Sequence, residues 1–144
     1  TTVLFKPDAE IFEETVFEYE ILENRLREQA FLNGGLRIYL ADERTEDGRH
    51  EDMHYEGGIK SFVEHINKKK SAEILHDVIY INGMKGTSYG EVALQYNDSY
   101  NEVILSFANN INTSEGGTHE TGFKAAITKV LNDYARKHNL LKEQ

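Results

Sequence analysis

The residues from Asn109 to Phe123 are a polar, glycine-bearing run lying between two apolar patterns of different period. Before it, Val103 to Ala108 reads as an extended apolar stretch. After it, Phe123, Ala126, Ile127, Val130, Leu131 and Tyr134 recur at three- and four-residue spacing. The change of period requires strand, loop and helix in that order, because a face repeating every 3.6 residues cannot be laid into a pleated sheet. Gly116 and Gly117 permit backbone angles closed to other residues, Thr118 is placed to cap the first-turn amides, and Glu120 lies near the positive end of the helix dipole. His119 can hydrogen-bond the loop backbone or hold an anion, and a turn's need for internal partners favours the first role. Gly116, Gly117, Thr118 and His119 are therefore read as a structural loop. Phosphate binding at the exposed amides is the sharper alternative, but neither the Lys-Ser/Thr of a P-loop nor a GxGxxG is present.

The rest of the chain alternates helices and strands. Thr2 to Lys6 is expected as a short strand closed by a turn at Pro7-Asp8. Tyr19, Leu22, Leu26 and Ala30 mark one face of a helix, Ile21 and Phe31 widen it, and Asn33-Gly34-Gly35 supplies a left-handed stop. Leu36, Ile38 and Leu40 alternate with Arg37, Tyr39 and Ala41, the period of a half-buried strand. An acidic loop holding Asp47-Gly48 leads to a returning strand at Met53 to Glu56. Gly57-Gly58 opens a second helix with Ile59, Phe62, Val63 and Ile66 on one face, and marks the best domain boundary. Beyond the polar segment from Asn67 to Ser71, strands are expected at Val78 to Asn82, Glu91 to Tyr96 and Glu102 to Ala108. With Gly83, Gly86, Gly90, Asn97 and Asp98 as separators, these form a meander ahead of the terminal helix. The fold class is α+β.

Composition narrows the function. With 144 residues the chain can bury one ordinary core or two small ones. No apolar stretch approaches the roughly 20 residues of a membrane span, and the absence of cysteine suits a reducing cytoplasm. The N-terminus has neither an initiator Met nor a signal pattern and reads as the interior of a longer polypeptide. A net charge of −9 argues against a whole-surface nucleic-acid coat. Local basic patches remain at Lys68-Lys69-Lys70 and along the last helix at Lys124, Lys129, Arg136 and Lys137.

One chemical motif stands out. His50-Glu51-Asp52-Met53-His54 matches H-E-x-x-H, whose histidines bind zinc when one helical turn apart. Its neighbours are polar and turn-rich, so no amphipathic helix aims both rings at a metal, and no metal site is expected. Nucleophile chemistry has no support: cysteine is absent and no Gly-x-Ser-x-Gly elbow places a serine beside a base.

Three blocks carry a resemblance: Tyr55-Glu56-Gly57-Gly58-Ile59-Lys60, Glu91-Val92-Ala93-Leu94-Gln95-Tyr96-Asn97, and Asn109-Asn110-Ile111 followed by Glu115-Gly116-Gly117-Thr118-His119. In order and spacing they closely resemble the B subunits of bacterial DNA gyrase. Tyr19-Glu20-Ile21-Leu22, Arg25-Leu26-Arg27-Glu28 and Phe31-Leu32-Asn33 extend the likeness over essentially the whole chain. It is specific to this subunit and its topoisomerase IV paralogue, with Gly57-Gly58-Ile59-Lys60 on the gyrase side. The resemblance implies an internal piece of an ATP-dependent type IIA topoisomerase subunit. Residues 1–56 resemble the C-terminal end of a GHKL-type ATPase domain, and residues 57–144 the first part of a transducer domain with a ribosomal protein S5 domain 2-like fold. It implies ATP and Mg2+ as cofactors of the full-length protein and none on this piece. The implied partners are double-stranded DNA and the gyrase A subunit, in an assembly of two A and two B subunits whose B subunits dimerise on binding ATP. The family's glutamate base, asparagine magnesium ligand and lid would lie upstream of Thr1, and its sensor lysine downstream of Gln144, so no catalytic residue is expected here. By the same resemblance Thr1 and Val3 match a Thr-x-Val strand on the floor of the adenine pocket. Lys124 matches a basic residue that faces the cavity through which DNA passes. Lysine there keeps the positive charge of the family's arginine without its planar, two-point recognition of phosphate. The competing class is a stand-alone, non-enzymatic α+β interaction domain. A closed module would bury its apolar faces, whereas a piece of a clamp should leave sheet edges and apolar faces exposed.

Overall fold

A computed structural model describes residues 1–44, 46, 48–70 and 73–141. Asp47 and Ser71, expected in loops, lie outside the described residues, as does the C-terminal end of the 57–144 segment. The elements are α1 (Tyr19–Leu32), β1 (Arg37–Asp42), β2 (Arg49–His54), α2 (Ile59–Lys70), β3 (Ile79–Lys85), β4 (Ser88–Leu94), β5 (Phe107–Ala108), β6 (Ile111–Asn112) and α3 (Thr118–Lys137). The α+β class holds. The strands form three antiparallel pairs, β1–β2, β3–β4 and β5–β6, and the chain divides into two compact units, Thr1–Tyr100 and Asn101–Gln144.

In the first unit, α1 packs on the β1–β2 hairpin. Tyr19, Ala30 and Phe31 are buried, while Ile21, expected on the same face, is 63% exposed. A ring stack joins the two helices: Phe31 lies 3.7 Å from the Tyr55 ring and 4.7 Å from Phe62, both nearly parallel. Gly35 and Gly58 adopt positive φ, 84° and 57°. The amides of both donate to the Tyr55 carbonyl, at 3.4 and 3.2 Å, so the end of α1 and the start of α2 are tied to one peptide. A Cβ on Gly34 would lie 3.6 Å from the Gly58 Cα, which shows how closely these two backbones approach. Within Asn33-Gly34-Gly35 the left-handed stop is made at Gly35, and Asn33 has φ −120°.

Several strand expectations are corrected. Thr2 to Lys6 forms no strand; Val3, Leu4 and Phe5 are 77%, 96% and 71% exposed, and among the described residues no strand pairs with them. A strand exists only through a partner's hydrogen bonds, which propensity alone does not supply. The turn after it is real: the amides of Ile11 and Phe12 donate to the Asp8 carbonyl at 3.1 and 2.9 Å. The returning strand begins at Arg49, not Met53, because its register runs from Arg37↔His54 to Asp42↔Arg49 and carries the polar Arg-His-Glu-Asp run into the ladder. Only Glu51 and Met53 of β2 turn away from solvent. Gly83 and Gly90, expected as turn residues, face each other within the β3–β4 ladder, and the turn lies at Gly86-Thr87, with Gly86 at φ 61°. The meander is absent. Of Glu102 to Ala108 only Phe107–Ala108 is strand, and it pairs with the unanticipated β6 rather than with β4.

Just past the end of β4 lies an amide cluster. The buried Asn67 donates to Gln95 Oε1 at 2.8 Å and accepts from Asn97 Nδ2 at 2.8 Å, fixing the last turn of α2 to the strand exit. Its neighbours Lys68, Lys69 and Lys70 close α2 as exposed cations at the negative end of the dipole.

Candidate functional site

The second unit builds the loop–helix junction outward from a two-residue hairpin turn. Asn109 and Asn110 take φ of 49° and 64°. Positive φ at both central positions is the signature of a tight turn matched to sheet twist, and asparagine tolerates it better than most residues. The turn sets Phe107 opposite Asn112, and therefore brings Ser106 beside Thr113. The Thr113 amide donates to the Ser106 carbonyl at 2.8 Å. Thr113 Oγ1 donates to the same carbonyl at 2.9 Å, and the two hydroxyl oxygens are 2.7 Å apart.

From this hairpin the contacts reach α3. A carboxylate only accepts, so Ser106 Oγ donates to Glu120 Oε2, at 2.7 Å. His119 Nε2 lies 3.2 Å from Thr113 Oγ1. Which of the two atoms donates follows from the His119 tautomer. On the other side Glu120 Oε1 receives the Lys124 ammonium at 2.8 Å, and Glu102 stands 4.0 Å from the same nitrogen. The Lys124 ammonium, helped by the Ser106 hydroxyl, holds the Glu120 carboxyl below the usual carboxylate range. Glu120 in turn raises the Lys124 ammonium above its ordinary value. The charged forms of both are therefore reinforced at neutral pH.

The glycines divide their work differently from the sequence expectation. Gly116 has φ 78° and its amide donates to the Thr113 carbonyl at 2.7 Å. Gly117, at φ 170°, is ordinary extended backbone and is itself the N-cap of α3. Thr118 is already helical, so it does not cap; the cap position carries no side-chain hydrogen bond. What Gly117 provides is room: a Cβ there would stand 2.7 Å from the His119 ring. An anion brought to this helix start would meet the Glu120 carboxylate, which is the opposite of a phosphate cradle.

The other sequence candidates are dispersed. Thr1 and Val3 are exposed in the irregular N-terminal segment. His50 and His54 lie on β2, where four residues of extended chain separate them by about 13 Å, so the helical geometry of a zinc pair is not formed. Lys124 is 47% exposed and already paired. Ser106, Thr113 and Glu102 were missed as members of the junction. The Asn109-Asn110 pair was the available signal, since a two-residue turn fixes which residues face each other.

Comparison with known proteins follows the same residues. The DNA gyrase B family model matches residues 58–144. The chain is 59% identical to the DNA gyrase B subunit of Halalkalibacterium halodurans across 99% of its length, and spans 22% of that protein. It is 52% identical to the B subunit of DNA topoisomerase 4 from Enterococcus faecalis, over 100% of this chain and 21% of that one. Thus the chain spans about a fifth of the length of these curated relatives. Among solved structures, the 43K ATPase domain of Thermus thermophilus gyrase B, in complex with an aminocoumarin, superposes with a TM-score of 0.80 at 38% identity, covering 97% of this chain and 37% of that one. With the family model, the relatives and the fold all in agreement, the chain belongs to the DNA gyrase B family.

Proposed function

We propose that this chain is an internal part of the ATP-operated clamp in the B-type component of a type IIA DNA topoisomerase, and that it couples nucleotide state to DNA strand passage rather than performing chemistry itself. The observation that carries the reading is 59% identity to a gyrase B protein over 99% of the chain. Residues 1–56 belong to the end of the ATPase domain and residues 57–144 to the start of the transducer; a family match beginning at residue 58 supports that boundary. Against a closed interaction module stands the exposure of large apolar side chains: Val130, Leu131 and Tyr134 on α3 are 64%, 53% and 56% exposed, and Val3, Leu4 and Phe5 are open. Surfaces of this kind are expected where further chain packs.

ATP and Mg2+ belong to the complete protein in this reading. Thr1 and Val3, which the resemblance places on the adenine-pocket floor, are exposed in the irregular N-terminal segment. By the resemblance, the general base, the magnesium ligand and the sensor lysine lie outside the chain, which leaves the piece catalytically incomplete. Its own contribution is mechanical. The α1–α2 ring stack and the hydrogen-bonded junction ahead of α3 are contacts through which a movement of the clamp would be passed along the chain. Double-stranded DNA, with Lys124 on the wall it passes, and the gyrase A subunit are the partners of the assembled enzyme.

A replacement experiment tests this. The corresponding stretch of Halalkalibacterium halodurans gyrase B is exchanged for this chain, and ATP-dependent supercoiling is measured with the A subunit. Supercoiling by the chimera is expected. A folded, dimerising chimera with no ATP-dependent change of DNA topology would count against the assignment.

A further inference from the structure

We propose that Glu120 is a positioning residue for Lys124: held in place by Ser106, it draws the ammonium along the helix and weakens its attraction for DNA phosphate. The inference rests on the reading that Lys124 faces DNA, and it assigns the strength of that contact to a second residue. A surface Glu–Lys pair one turn apart is ordinarily mobile, and each partner readily turns to solvent. This one is not. The Glu120 side chain is only 19% exposed, its Oε2 accepts from Ser106 Oγ at 2.7 Å, and its Oε1 meets the Lys124 ammonium at 2.8 Å. Ser106 is in turn locked to Thr113 across the hairpin, so the carboxylate is anchored to a part of the fold that α3 does not control. Glu102, 4.0 Å from the same nitrogen, places a second negative charge there. Two carboxylates against one ammonium leave the local field negative. A phosphate within a Debye length gains attraction only after Lys124 swings out of the pair. That exchange keeps the contact weak and readily released, as a surface past which DNA must move requires.

The test uses the complete gyrase B protein assembled with the A subunit, and reads the KM for linear DNA in DNA-stimulated ATP turnover over a range of salt. Glu120→Gln keeps an amide oxygen for Ser106 but removes the charge. It is expected to lower the KM for DNA about twofold at low salt, the scale of one helical ion pair, and to steepen the salt dependence by up to about one unit of log–log slope. Ser106→Ala, which frees the carboxylate without neutralising it, is expected to move both in the same direction and by less. In the Lys124→Ala background Ser106→Ala should have no effect, and Glu120→Gln should keep only the smaller change that comes from removing one carboxylate charge near DNA. If Lys124→Ala shifts the KM while Glu120→Gln matches wild type in both KM and salt slope, the inference is overturned and the DNA-facing reading stands. If Lys124→Ala leaves both unchanged, the DNA-facing reading itself fails. A merely structural role for Glu120 is also distinguishable, because it would lower Tm equally with and without Lys124 and leave the salt slope alone.

Discussion

Adjacent glycines before α3 are expected to fail for different reasons when given the same methyl group. At Gly116, φ is 78°, and the nearest atom to an added Cβ is a Glu120 oxygen at 3.6 Å, an ordinary contact. Space is available there, and the penalty for Gly116→Ala is backbone strain of about 1–2 kcal/mol. At Gly117, φ is 170° and carries no strain, but the Cβ would collide with the His119 ring at 2.7 Å. The ring must swing away, losing its contact with Thr113 Oγ1, a change of about 1 kcal/mol. Both single variants are therefore destabilised by similar amounts, and a second substitution separates them. In a His119→Ala background most of the Gly117→Ala penalty disappears, leaving only the balance between alanine's poorer fit at the N-cap, up to about 1 kcal/mol, and its narrower unfolded ensemble, about 0.4–1 kcal/mol, while Gly116→Ala stays as damaging as before. Gly116→Asn is expected to be milder than Gly116→Ala, since asparagine tolerates the left-handed region. Urea denaturation gives the global values, and hydrogen exchange of the Thr113 and Gly116 amides, both bonded within this turn, gives the local ones. A Gly117→Ala penalty undiminished by His119→Ala would refute the steric argument, and a Gly116→Ala variant as stable as wild type would refute the strain argument.

Phe31→Ala should lose about 3–5 kcal/mol, because the ring is 1% exposed and stacked on both Tyr55 and Phe62; a shift in urea midpoint worth less than about 1 kcal/mol would mean the site collapses or that the stack is not the core. Burial first, then Lys69, Arg27 and Lys68, lowers the His65 pKa below its ordinary 6.5, so the fold favours the neutral ring. The sign follows: this contribution is fully present above about 6.5 and is lost as pH falls from there toward the folded-state value, and His65→Gln should flatten the decline when stability is followed against pH. The isolated chain is expected to show no magnesium-dependent ATP turnover above a buffer control; measurable turnover would place catalytic residues within the chain and contradict the proposed function.

What the sequence determined by itself was most of what has a local period, although Thr118 as a cap and Gly83 and Gly90 as turns were misread. The three helices were legible because apolar residues at three- and four-residue spacing need no distant partner to declare a face, and Gly35, Gly58 and Gly86 marked stops and turns where backbone angles alone decide. The family blocks were equally plain, since they are strings of residues rather than arrangements. Tertiary structure decided the strands and the junction. Thr2 to Lys6 has the composition of a strand but, among the described residues, no ladder to join, while the polar start of β2 becomes strand because β1 supplies one. The same holds for Gly117, whose importance lies not in its own dihedral angles but in the ring that fills the space beside it. Ser106 and Glu120 are 14 residues apart and share a hydrogen bond only because the Asn109-Asn110 turn folds the chain back ahead of α3. Periodicity reports which way a side chain faces along its own element; which partner it meets is set by register and turn geometry, and those are properties of the folded chain.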